Sequence, residues 1–115
     1  MHEAAIAADL IAAASAAVAR EGARGRIVRL EVTAGRLSGV SVEALRFAFE
    51  QLAAGTPAAG AELVVTEPKA ACRCASCGAQ SETEDLFAPC PVCGSSDVTI
   101  TGGRELLLQS VDIDQ

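Results

Sequence analysis

Cys74-Ala75-Ser76-Cys77-Gly78 is answered, after eleven intervening residues, by Cys90-Pro91-Val92-Cys93-Gly94, and this pair of knuckles organises the reading of the whole chain. A CxxC turn aims two sulfurs at one point, and two such turns make one four-sulfur site. Gly78 and Gly94, each just after a second cysteine, can supply the positive φ that main chain needs to curl around bound thiolate. Zinc accepts four such sulfurs as a tetrahedron at about 2.3 Å, with no position left for substrate or water, so the site is expected to be structural and not catalytic. A rubredoxin-like iron site uses the same ligand set. Cys72, a fifth thiol two residues before Cys74, stands on what reads as the same strand face, and its role stays open.

Around this segment, about 69–97, the chain reads as a compact α+β unit. Ile6, Leu10, Ala14, Ala17 and Val18 recur at helical spacing, with acidic residues early, Arg20 late and Gly22 as a stop, predicting a helix over roughly 3–21. Val28, Leu30 and Val32 then alternate with Arg29, Glu31 and Thr33, the period-two pattern of a strand with one wet face. Ser41 is a good N-cap for a second helix carrying Val42, Leu45, Phe49 and Leu52, ended by Gly55 and Pro57. A strand over 62–67 follows, closed by Pro68. Beyond the cysteines come Val98 and Ile100, the Gly102-Gly103 turn and a last strand over 105–114, whose alternation slips near Gln109 and Ser110 as a bulge would make it slip. The expected architecture is two helices packed on a small three-stranded sheet, with an inserted four-cysteine, zinc-ribbon-like module. The domains are then 1–68 together with 98–115, and 69–97.

Composition narrows the function. The chain has 115 residues, about one domain, and only three aromatic side chains, so its core is thin. Ordering a residue costs roughly 1.5 kcal/mol, and a metal staple helps to offset that. A net charge of -6 opposes approach to a phosphate backbone, and a single phenylalanine, Phe87, lies between the knuckles, which argues against a zinc-ribbon nucleic-acid binder. A thiol oxidoreductase would want one CxxC near a helix start, whereas both pairs here lie in turn-rich sequence. A zinc-ribbon protein-interaction module is a further alternative. No export signal or run of about 20 apolar residues is evident, and an odd cysteine count suits a reducing compartment, so a cytoplasmic protein is expected. No GxxxxGK[ST] loop or catalytic constellation competes with the metal reading, and the expectation is that the chain is not an enzyme.

The second signal is Met1-His2-Glu3, which contains the only histidine. A terminal amine, the His2 amide and its Nδ1 can form fused chelate rings around one ion, with the Glu3 amide or carboxylate completing the shell. Nitrogen-rich, near-planar donor sets suit Ni(II) and Cu(II) better than zinc.

The chain continues with Gly35-Arg36-Leu37-Ser38-Gly39-Val40, Leu45-Arg46-Phe47-Ala48-Phe49, Gly60-Ala61-Glu62-Leu63, Cys90-Pro91-Val92-Cys93-Gly94 and Gly103-Arg104-Glu105-Leu106. Together with the amino-terminal triplet, these resemble the HypA/HybF family over essentially the whole length. The resemblance implies a nickel metallochaperone for [NiFe]-hydrogenase maturation, sometimes also serving urease and its accessory proteins. It implies work with the GTPase HypB to fill the hydrogenase large-subunit precursor. It implies nickel cargo on His2, with the amine of Met1 and Glu3 contributing, and structural zinc on Cys74, Cys77, Cys90 and Cys93. Some members carry histidines beside the knuckles; here those places are Gly78 and Gly94. Neither nucleic acid nor membrane is an expected partner, and monomer and homodimer both stay open.

Overall fold

A computed structural model describes residues 2–22 and 25–114. The elements run α1 (Glu3–Arg20), β1 (Arg26–Ala34), α2 (Val42–Ala53), β2 (Glu62–Thr66), β3 (Ala70–Cys74), β4 (Gln80–Thr83), β5 (Val98–Thr101) and β6 (Leu106–Asp114). They form two compact units: one of residues 1–33, 40–66 and 107–115, the other of residues 34–39 and 67–106. The class is α+β, as the sequence leads one to expect.

In the first unit the strand order is β2-β1-β6. β1 and β2 are parallel, Arg29 opposite Glu62 through Thr33 opposite Thr66, and a parallel pair needs a crossover, which α2 supplies. Buried Ala7, Leu10, Ile11, Ala14 and Val18 of α1 meet Leu45, Phe49 and Ala53 of α2 over Ile27, Leu30, Val32 and Leu63 of the sheet. Most of the contact surface on α1 is alanine, leucine and isoleucine, so the helix can lie close while Phe49 supplies the largest buried side chain.

Two details differ from simple alternation. Val28, expected inward, is 43% exposed, and Ile27 takes the core position. The cause is local: the start of β1 lies before its pairing with β2 and is held by the α2–β2 loop, Ile27 N–H donating to Pro57 O at 2.9 Å and Arg26 to Ala59 O at 2.8 Å. In β6 the core-facing residues are Leu108, then Val111 and Ile113, a slip of one. The adjacent Gln109 and Ser110 both reach polar groups of β1, Gln109 bonding Thr33 and Ser110 bonding Glu31. Two neighbours serving one strand face is what a bulge produces, at the place where the alternation of the sequence breaks.

The second unit is built on a sheet of order β4-β3-β5, with both neighbours antiparallel to β3. Residues 34–39 are tied into it by backbone bonds from Gly35 to Glu105 O and from Arg36 to Pro68 O, and by an Arg36–Glu84 ion pair.

Candidate metal centres

β3 alternates buried Ala70, Cys72 and Cys74 with exposed Ala71 and Arg73. It ends by feeding Cys74 directly into the first knuckle. The two knuckles then repeat one backbone scheme: Gly78 N–H donates to Cys74 O and Gly94 N–H to Cys90 O, while Cys74 N–H reaches Ala79 O and Cys90 N–H reaches Ser95 O. Gly78 and Gly94 have φ of +75° and +77°, the left-handed conformation expected of them. Ser76 and Ser95 join the knuckles through an Oγ···Oγ hydrogen bond of 3.0 Å, and Ala75 N–H donates to Asp97 O.

The sulfurs of Cys74, Cys77, Cys90 and Cys93 all lie within 4.8 Å of one another. Cys74 to Cys93 is 3.6 Å and Cys77 to Cys90 is 3.7 Å. Four thiolates about 2.3 Å from one tetrahedral ion stand about 3.8 Å apart, so the spacing fits a single thiophilic metal and is far too long for a disulfide. In each knuckle the first cysteine is buried and the second exposed. Their acidities divide the same way. The amides of Cys93 and Val92 bring Cys90 down to about 6, and the amides of Cys77 and Ser76, with the Cys93 sulfur, also lower Cys74. Cys77 has the Ala79 amide in its favour, yet desolvation and the sulfurs of Cys90, Cys93 and Cys74 push it up to about 12. Cys93, despite the Ser95 amide, is raised chiefly by the Cys74 sulfur. Without metal the four thiols therefore share protons; a dication replaces those protons and lets all four ionise. Cys72 is buried on β3, outside the four-sulfur group.

At the other sequence landmark, His2 is the N-cap of α1, exposed, and its side chain makes no capping bond. Its carbonyl accepts the first helical bond from Ile6 N–H. The amides at such a helix start have no intrahelical acceptor, so a metal can engage them without breaking the helix. Glu3, half-buried in the first turn, accepts from Ser41 N–H through Oε2 at 3.0 Å. The Ser41 amide foremost, then the amide of Glu3 itself, hold this carboxyl below its usual range. Met1 lies outside the described residues.

The family model described as "Hydrogenase/urease nickel incorporation, metallochaperone, hypA" matches residues 1–113. The chain belongs to the HypA family. It is 43% identical to the hydrogenase maturation factor HypA of Chlorobaculum tepidum over 99% of this chain and 100% of that one. It is 42% identical to the corresponding factor of a Picosynechococcus species, over 98% and 99%. The solution structure of the Ni metallochaperone HypA from Helicobacter pylori matches with a TM-score of 0.64 at 25% identity, covering 98% of this chain and 97% of that one. A second HypA solution structure gives 0.68 at 27%, over 98% and 96%. The family is one of nickel metallochaperones in hydrogenase maturation, not of catalysts. Among the described residues no helix is long and apolar enough to cross a membrane.

The residue pattern had singled out the four cysteines, His2 and Glu3. It had not singled out the Ser41 amide as the donor to the Glu3 carboxylate, nor the Ser76–Ser95 bridge. The first joins positions 38 residues apart, for which local sequence carries no signal. The second could be suspected only from serines lying beside both knuckles.

Proposed function

We propose that this chain carries Ni(II) at its amino terminus and delivers it during [NiFe]-hydrogenase maturation, with urease as a second client, while zinc on Cys74, Cys77, Cys90 and Cys93 holds the second unit together. The observation that carries the nickel half is the exposed His2 imidazole, free of any capping bond at the open end of α1, inside a chain matched throughout by the nickel-incorporation family. The amine of Met1, the amide and imidazole of His2, and Glu3 form the donor set. An end-of-chain site with few donors is open to attack by a recipient's ligands, so it suits cargo. A closed four-thiolate shell suits an ion that stays. Nickel sits with the helical unit, 1–33 with 40–66 and 107–115, and zinc with 34–39 and 67–106. The partners are the GTPase HypB, which hydrolyses the nucleotide, and the large-subunit precursor, all in the cytoplasm.

The test is a nickel titration of zinc-loaded protein with its native terminus. One nickel is expected beyond the zinc. His2→Ala weakens nickel binding by about 100-fold or more and leaves zinc content unchanged. A tag extending the amino terminus also weakens it. Nickel uptake that survives both changes refutes the terminal site.

A further inference from the structure

Glu3 has a second relationship that its sequence neighbours do not suggest. Its carboxylate crosses from the first turn of α1 to the start of α2, where Oε2 accepts the Ser41 N–H at 3.0 Å. Ser41 is the N-cap of α2, and its own Oγ is occupied in accepting Ala44 N–H at 3.2 Å. The Ser41 amide therefore receives its acceptor from outside the helix, and that acceptor is an anion. An anion at a helix start faces the positive end of the backbone dipole; this one serves two starts at once, being in the first turn of α1 and against the N-cap of α2. The side chain of His2, the adjacent residue, makes no capping bond. Among the described residues, the Glu3 carboxylate is thus the first side chain along α1 that ties it to α2.

We infer that Glu3 is a positioning residue whose carboxylate clamps the first turn of α1 to the Ser41 amide of α2, so that residue 3 serves nickel through its backbone and not through its side chain. The inference rests on the terminal nickel site proposed above. To ligate through Oε2 the carboxylate would have to leave the Ser41 amide and release the first turn that presents His2. Held in place, it fixes the residue next to the chelating histidine, and a prearranged donor set binds more tightly than one that must be ordered on binding.

Glu3→Gln separates the roles, because a glutamine carbonyl still accepts from Ser41 N–H but brings no carboxylate to a metal; Glu3→Ala removes both. Two readouts are taken on native-terminus, zinc-loaded protein: hydrogen exchange of the Ser41 amide without nickel, and affinity for Ni(II). The expected result is that Glu3→Ala speeds exchange at Ser41 and weakens nickel by about tenfold, while Glu3→Gln restores both to within about threefold of the parent. If Glu3→Gln protects the Ser41 amide yet loses nickel as Glu3→Ala does, the carboxylate is a ligand and the inference is overturned. It is equally overturned if Ser41 exchanges at one rate in all three proteins. Should the parent itself take up no terminal nickel, the proposed nickel site falls and this inference falls with it, whereas either of the first two failures leaves that site standing.

Discussion

Gly35 and Gly78 show how differently two glycines of one chain are constrained. A β-carbon built on Gly35 would lie 2.1 Å from the carbonyl oxygen of Gly103, which is backbone and cannot swing aside. That same carbonyl accepts Leu37 N–H at 2.6 Å, so moving it breaks a bond that holds residues 34–39 in the second unit. At Gly78 nothing lies within 4 Å, and the restriction is the φ of +75° alone. Gly35→Ala is expected to lower stability by about 3 kcal/mol and Gly78→Ala by about 1 kcal/mol, measured by denaturant unfolding of zinc-loaded protein. Equal losses at the two sites would show that the close approach of Gly35 to Gly103 does not matter. The sequence marks Gly78 plainly, because it follows a CxxC. The crowding at Gly35 depends on Gly103, 68 positions away, and no local pattern announces it.

At the scale of elements, α2 was readable from both ends: Ser41 accepts from Ala44 N–H as an N-cap should, and Leu45 and Phe49 are buried. Leu52, placed on the same stripe by spacing, is 43% exposed, with Ala53 buried in its stead. The helix ends there, and its last turn meets the core with the smaller side chain. Ser41→Ala should cost about 1 kcal/mol of stability through loss of the cap, yet keep nickel binding, because the amide that holds Glu3 remains. Thermal denaturation and nickel titration of the one variant check both halves. β6 teaches the complementary lesson. Its slip at Gln109 and Ser110 is visible in the sequence as broken alternation, but only the pairing with β1 shows that the extra residue is put to use by Thr33 and Glu31.

Across the whole molecule, the two units have different sources of stability. The first has a continuous apolar core from both helices and the sheet. In the second, the buried apolar residues are few and small, chiefly Ala34, Ala70 and the cysteines themselves, so the four-sulfur centre takes the place of a core. Structural zinc in small domains contributes on the order of 10 kcal/mol. Chelation under reducing conditions should therefore expose the amides of residues 67–106 to hydrogen exchange while those of α1 and α2 keep their protection; simultaneous loss in both units would contradict this. Residual structure in the metal-free second unit should also follow pH. Cys90, brought from 9.0 to about 6, adds stability that is complete above pH 9 and is lost as pH falls through 6. Cys77, raised from 9.0 to about 12, removes stability as pH climbs from 9 to 12. A maximum near pH 9 is expected in thermal melts of the metal-free protein.

What the sequence determined by itself was everything carried by short-range pattern: the helices by their 3.6-residue period, the four metal-seeking sulfurs by paired CxxC spacing, the exposed histidine by its place at the chain start. Tertiary structure alone decided which residues separated by dozens of positions would meet. It placed Ile27 and not Val28 in the core, Cys72 outside the four-sulfur group, Gly103 against Gly35, and the Glu3 carboxylate on the Ser41 amide. The reason is physical: propensity, periodicity and chelate spacing act between near neighbours along the chain, whereas close packing and the satisfaction of backbone amides are settled only when distant segments compete for the same space.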